Sequence, residues 1–395
     1  MHATCRRSFV SCRHLSATTR SRSRRTYSIH ALPSASKTSG LLPLVYSASN
    51  LVVSFESSSG VHVYSRQAVT GKDGLSFTLE GEPTLPFFLS EPSSTTDVPV
   101  GLVRYTVVEA LKNHVDECPL QVVGSRDLSF VSFKPWVNDG GPESRTSHIQ
   151  RLVKDWKDSS LFTDILRGWS NEDYPVYSLP LPAIGSADLA FSIERAALPL
   201  FGFPNYGCLL IAHYHCADTG KTMFWVPRRS RNKRTWPGRL DVTVGGGMAT
   251  GESATDTIVR ECTEEASLDA KFVRDNLRKT GILPFPNRSP AGWILPGFYH
   301  LFDLPLPPDG SIRPKINADD GEVESFELMD ADTIMRNLLT GQFKGSSAMA
   351  FVRFLIQSGQ VTEQTEPQFE LVCRELMRQA QPYVMTPAPT LSLHP

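Results

Sequence analysis

The chain has 395 residues, of which 40% are hydrophobic and 21% charged, proportions that suit two or three packed domains. Its formal net charge of −1 gives no general attraction to a polyanion, so no nucleic-acid partner is expected and an anionic ligand must be held by a local basic patch. No apolar run approaches the roughly 18 residues of a membrane span, so no membrane partner is expected. Seven cysteines without a Cys-x-x-Cys pair argue against a zinc site and suit a reducing compartment.

Residues 1–40 contain Arg6, Arg7, Arg13, Arg20, Arg22, Arg24 and Arg25 among many serines, with no acid before Glu56. This is the composition of a mitochondrial transit peptide, so a basic disordered segment and a mitochondrial location are expected, with the cytoplasm as the alternative. Arg25-Thr26-Tyr27-Ser28 is similar to a matrix-peptidase cleavage site. Residues 41–190 read as a small α+β accessory domain. Its first part, to about residue 75, mixes short β-like runs with Ser and Gly breaks and takes no firm placement. Phe87-Phe88-Leu89 and Val100-Gly101-Leu102-Val103 read as strands. Ile149, Leu152, Val153 and Trp156 follow the i, i+3, i+4, i+7 rule of an amphipathic helix, and Leu161, Phe162, Ile165 and Leu166 extend that face.

The texture changes near Ser192, and residues 191–365 read as a second domain. Strands are expected over 206–214 and 222–226, joined by a turn at Asp218-Thr219-Gly220. A basic loop, a strand over 240–244 and the run Gly245-Gly246-Gly247 follow. Helices are expected over 253–267, 331–339 and 348–358, and strands over 293–302 and 321–329. Residues 366–395 read as a C-terminal helix and tail. Phe203, Tyr206 and Trp293 are expected in the core.

The chemistry concentrates at Gly246. Three glycines after a strand let the backbone turn tightly and approach a ligand. Ser253 with Asp256 three residues on is a capping pattern, and a helix N-terminus favours a nearby phosphate. Glu261, Glu264 and Glu265 stand at i, i+3 and i+4 and share one helical face, with Ile258, Cys262 and Ala266 forming the adjoining packing stripe. Like charges so placed cost about 0.2–0.5 kcal/mol per pair. A hard divalent cation relieves that repulsion, and Mg²⁺ prefers carboxylate oxygen. Arg260 is expected to anchor one carboxylate through a bidentate pair.

Residues 246–268 read G-x5-E-x7-R-E-C-x-E-E-x-S-L and resemble the Nudix box, G-x5-E-x7-R-E-U-x-E-E-x-G-U, in which U is aliphatic. Ser267 replaces the usual Gly at the helix end, and Cys262 stands at the first U. The resemblance implies an α/β/α sandwich with a mixed sheet, preceded here by the small α+β domain. It also implies Mg²⁺, or alternatively Mn²⁺, bound by Glu261, Glu264 and Glu265. Glu261, Glu264 and Arg260 are the candidate catalytic groups, one of the glutamates acting also as base. The flanks Phe224-Trp225-Val226-Pro227-Arg228-Arg229-Ser230, Trp236-Pro237-Gly238-Arg239-Leu240-Asp241 and Asp320-Gly321-Glu322-Val323-Glu324-Ser325-Phe326 resemble the Nudix subgroup related to thiamine pyrophosphokinase. That subgroup has an extra N-terminal domain, whose closing segments Trp169, Asp173-Tyr174-Pro175-Val176-Tyr177 and Glu194-Arg195-Ala196 resemble.

What the resemblance implies is a metabolite-repair hydrolase that removes phosphate from thiamine diphosphate or its damaged oxo and oxy analogues. Gly246, Gly247, Arg228, Arg229, Lys233 and Glu324 are the expected contacts to this small-molecule diphosphate, forked guanidinium groups matching phosphate oxygens. Glu322 and Glu324 share one face of a strand by alternation, so one of them is expected to serve as a further ligand or base. A nucleotide or nucleotide-sugar pyrophosphatase and a non-catalytic thiamine-diphosphate-binding regulator are the alternatives. Isopentenyl diphosphate isomerase shares the fold, but it needs a cysteine on the strand before the glycines, and residues 241–244 offer none.

Overall fold

The computed structural model describes residues 27–28, 40–56, 60–71, 74–94, 97–114, 117–124, 129–178 and 188–378. Most of the Arg-rich leader, and the tail after 378, therefore lie outside the described residues.

One sheet has the strand order Leu51–Glu56, Gly60–Gly71, Gly74–Phe88, Ser129–Phe133, Leu120–Gly124, with Gly101–Arg104 and Tyr27–Ser28 also paired to Gly74–Phe88. The helix Gly141–Asp158 buries Ile149, Leu152, Val153 and Trp156, the stripe its periodicity marks out. These side chains join Phe87, Val131, Phe133 and Phe191 in one core. Phe191 belongs to an antiparallel hairpin, Asp173–Tyr177 with Leu189–Glu194.

The second sheet runs Arg278–Arg288, Ile294–Pro305, Asn205–His215, Thr222–Arg229, Val323–Asp330, with Val244–Gly247 added to Asn205–His215. It is mixed: Asn205–His215 pairs parallel with Ile294–Pro305 and antiparallel with Thr222–Arg229. Alternation along Asn205–His215 builds the sandwich. Leu209 and Ile211 face Phe351 and Leu355 of the helix Gly345–Gln357. Cys208 and Leu210 face Ile258 and Cys262 of the helix Ala254–Ala266. The fold is thus the expected α/β/α sandwich with a mixed sheet. Phe203, Tyr206 and Trp293 are buried, as expected.

Three elements differ from expectation. The strand expected over 240–244 is displaced: Leu240 makes only isolated bridges to Arg228 and Phe343, and the strand runs through the glycines, Val244–Gly247. The edge strand Arg278–Arg288 is additional. The helix Leu42–Ala48 packs on the second domain, burying Leu42, Val45 and Tyr46 with Val372 and Leu376 of the helix Phe369–Met377. Glu366 accepts the Leu41 backbone N–H at 2.9 Å, and Arg378 donates to the Ser49 carbonyl at 2.8 Å. Among the described residues no helix is long and apolar enough to cross a membrane.

Candidate active site

The acidic helix Ala254–Ala266 starts where the sequence marks its cap. Ser253 is extended, and its Oγ accepts the Asp256 N–H at 3.1 Å. It stops at Ser267, whose φ of 52° and ψ of 33° are left-handed, a conformation that costs a residue with a β-carbon. The Leu268 N–H then closes on the Cys262 carbonyl at 3.1 Å. Ile258, Cys262 and Ala266 are fully buried against the sheet, which turns Glu261 and Glu265 toward the glycine strand.

That strand explains its own composition. The Glu261 carboxyl lies where a β-carbon on Gly246 would stand, and the Tyr174 hydroxyl lies where one on Gly247 would stand. Glycine is required at both positions by close approach. Glu265 is buried and accepts the Gly245 N–H at 3.2 Å. It lines one small pocket with Glu322, which is paired in turn with Lys233. Burial, and next the charge of Glu261, push the Glu265 carboxyl well above the carboxylate range. Burial also raises Glu261, against the lowering effect of Arg260. Burial acts upward on Glu322 too, but Lys233 outweighs it and holds that carboxyl low.

Arg260 organises the outer acids. Its Nε and Nη2 meet the two Glu252 oxygens at 3.1 and 3.2 Å, the bidentate pair anticipated from sequence. Its Nη1 reaches Glu264 at 2.8 Å and Glu261 at 3.0 Å. Glu252 also accepts from the Ala249 N–H and the Thr257 hydroxyl, at 3.2 and 3.0 Å. Burial would raise this carboxyl, but the bond from Arg260 and the others hold it low. Glu252 therefore clamps the loop to the helix.

Of the residues expected to hold the diphosphate, Gly246 lies against Glu261 and Arg229 lines one pocket with Glu265 and Glu322, but the cations are already committed to acids. Arg229 is tied to Asp241 at 2.8 Å and to the Thr235 carbonyl at 3.2 Å. Arg228 binds Glu327 at 3.0 Å and the Gly238 carbonyl at 3.1 Å, and Lys233 is committed to Glu322. Glu324 pairs with Arg231 at 3.3 Å, away from Glu265; of the two strand acids it is Glu322 that reaches the cluster.

Two further residues were not singled out from the sequence. Asp241 is buried and binds Arg229, Lys344, Ser347 and the Val242 N–H. Burial works to raise it, and the two cations overcome this and hold it low. A lone acid between Leu240 and Val242, following a basic loop, was the available signal. The other is Tyr174, which the accessory hairpin lays against the glycines. The Asp173 carbonyl accepts from the Thr250 N–H at 2.9 Å and its hydroxyl at 3.1 Å, and that hydroxyl meets Ser192 Oγ at 2.9 Å.

Among the described residues no three His, Cys, Asp or Glu side chains close into a finished cation cage. The donor chemistry nevertheless fits a hard divalent ion. Glu265 and Glu322 line one small pocket, and burial with the nearby charge of Glu261 raises Glu265, a crowding of acids that a hard divalent cation would relieve. Such an ion would be held by Glu261, Glu264 and Glu265, with Glu322 beside them.

Comparison with known proteins agrees with this geometry. Residues 211–349 match the family model "NUDIX domain", and residues 87–205 match "Domain of unknown function (DUF4743)". An uncharacterised protein of Saccharomyces cerevisiae is 32% identical over 244 residues, 59% of this chain and 68% of that one. Nudix hydrolase 20, chloroplastic, of Arabidopsis thaliana is 29% identical over 299 residues, 73% of this chain and 72% of that one. A Nudix hydrolase of Deinococcus radiodurans is 42% identical over 129 residues, 33% of this chain and 68% of that one.

Proposed function

Because the chain belongs to the Nudix hydrolase family and so cleaves diphosphate bonds, we propose that it is a Mg²⁺-dependent hydrolase of thiamine diphosphate or its damaged oxo and oxy analogues. The observation that carries the reaction is the placement of Glu261 and Glu265 against Gly246 and Gly245. The thiamine assignment is supported by the flanks around Trp225, Trp236 and Glu322, which resemble the subgroup with an additional N-terminal domain. The relative Nudix hydrolase 20 is described as chloroplastic, and the Arg-rich residues 1–40 support an organellar, mitochondrial destination for this chain.

The bound cation supplies charge neutralisation on the diphosphate and acidifies a water. The protein does the positioning. Arg260 fixes Glu252, Glu261 and Glu264 as one rigid array, so the acids need no rearrangement when the substrate arrives. Burial and the charge of Glu261 favour the protonated form of Glu265, and loss of that proton would free Glu265 to bind as carboxylate. Water adds to the terminal phosphorus and the bridging P–O bond breaks. A monophosphate and inorganic phosphate result, and the water's proton passes to a carboxylate of the cluster.

A panel of oxythiamine diphosphate, thiamine diphosphate, ADP-ribose and a nucleotide sugar with Mg²⁺ tests the proposal, read by phosphate release for the thiamine compounds and by chromatographic detection of the nucleoside monophosphate for the other two. Phosphate release is expected from the thiamine compounds. No release from oxythiamine diphosphate alongside turnover of a nucleotide compound would remove the thiamine assignment and leave the pyrophosphatase alternative.

A further inference from the structure

On the Gly247 side of the acid cluster, the wall of the site belongs to the accessory domain. Tyr174 reaches across so closely that its hydroxyl fills the space above the Gly247 backbone. The Arg195 guanidinium lies 5.4 Å from the Tyr174 ring centroid, and its charge is also felt at the phenol of Tyr299. Tyr299 belongs to the catalytic sheet and packs against Gly207, the strand partner of Gly247. Arg195 therefore projects from the accessory domain toward the glycine strand, on the face opposite the one that Glu261 meets.

We infer that Arg195 binds a phosphate group of the substrate, with Tyr174 as its positioning residue, so that the accessory domain completes the active site. The inference rests on the diphosphate reading above. Three observations support it.

The first is that the base of Arg195 is rigid. Glu194, itself buried, accepts from the Ser170 N–H, the Ser170 hydroxyl and the Ala196 N–H at 3.0, 3.1 and 3.1 Å. Gln150 accepts the Glu194 N–H at 3.2 Å, and the Glu172 carbonyl accepts the Arg195 N–H at 2.9 Å. The backbone that carries the guanidinium is thus set in place before a ligand arrives.

The second is availability. The cations of the catalytic domain near the cluster are occupied: Arg260 by three glutamates, Arg229 by the buried Asp241, Lys233 by Glu322. Arg195 makes one ion pair, to Glu172 at 3.0 Å, and the two side chains are 50% and 46% exposed. Pairs so open to water contribute little, so a phosphate can replace Glu172 at small cost.

The third is electrostatic. Glu261, Glu264, Glu265 and Glu322 gather on one side of the glycine strand, and a diphosphate entering there needs cationic contact on its far side as well as an ion among the acids. A forked guanidinium matches two phosphate oxygens and loses little freedom in doing so.

The test is calorimetric binding of imidodiphosphate, a non-hydrolysable diphosphate, to the full chain with Mg²⁺. Arg195→Gln is expected to weaken binding about tenfold or more, as loss of a charge-assisted contact does. Arg195→Lys should lie between the two, and Arg274→Gln, remote from the glycine strand, should bind as wild type. Affinity of Arg195→Gln within twofold of wild type, at an unchanged melting temperature, overturns the inference. Should Arg195→Gln not fold, Arg195→Lys decides alone: weakening of threefold or more supports it and wild-type affinity overturns it. If wild type fails to bind imidodiphosphate, the diphosphate reading falls as well, which separates the two failures.

Discussion

The carboxyl group of Glu261 occupies the position that a β-carbon on Gly246 would take, although the two residues lie on different elements, the acidic helix and the glycine strand. The glycine is therefore the seat of the glutamate.

From this contact, Gly246→Ala is expected to displace the Glu261 side chain while leaving its backbone helix intact. A shift of about 1 Å in a positioned group costs on the order of a hundredfold in rate. Steady-state turnover at saturating Mg²⁺ should fall by about that factor, with a thermal melt within a few degrees of wild type. Wild-type turnover would show that the seat has no catalytic role.

The raised carboxyl of Glu265 fixes a pH dependence. Its folded-state value lies well above the 4.5 of a free glutamate, so between the two the folded protein binds the extra proton. Stability contributed by that group is complete at low pH and is lost as pH rises through the folded value. Without divalent ions, the melting temperature of wild type relative to Glu265→Gln should fall across this window. Mg²⁺ should abolish the fall, because the ion displaces the proton. Mg²⁺ affinity should accordingly rise with pH. Parallel melting profiles of the two proteins without metal would contradict this.

Ser267 carries a left-handed backbone at the end of the acidic helix. The strain of a residue with a β-carbon there is about 1–2 kcal/mol, partly offset by the greater freedom of glycine in the unfolded chain. Ser267→Gly should therefore stabilise the protein by roughly 0.5–1 kcal/mol in urea unfolding, with turnover unchanged. Destabilisation would mean that the serine side chain makes a compensating contact.

Asp241 is the buried counterpart of Arg229 and Lys344, with side-chain exposures of 9%, 12% and 21%. Asp241→Ala leaves two enclosed cations without their acid and should cost about 3–5 kcal/mol by denaturant unfolding. Arg231→Ala removes only the exposed pair with Glu324 and should stay within about 0.5 kcal/mol of wild type. Equal effects in the two variants would reject Asp241 as the anchor of the basic loop.

The acidic helix was legible because several local signals agree there: the Ser253 cap, the stripe of Ile258, Cys262 and Ala266, and the spacing of the glutamates. The neighbouring strand was misplaced because Leu240, Val242, Thr243 and Val244 have strand propensity, whereas three glycines do not. Pairing with Asn205–His215 and the pressure of Glu261 and Tyr174 decide the matter instead. Arg278–Arg288 was hidden by Gly281, Pro284 and Pro286, which an edge strand tolerates. The commitment of Arg228 and Lys233 to acids far along the chain has no local signature, nor does the approach of Tyr174 to Gly247.

The short helix Leu42–Ala48 sets a limit on how the amino terminus can be processed. Leu41, Leu42, Val45 and Tyr46 together bury apolar surface worth on the order of several kcal/mol. Cleavage ahead of Gly40, including one before Ser28, leaves that clasp in place. Trimming past Leu51 would open an apolar trench behind the sheet, on the face away from the glutamates, and deprive Glu366 of the Leu41 amide. Any protease acting on the amino terminus would have to stop short of the clasp to leave this packing intact.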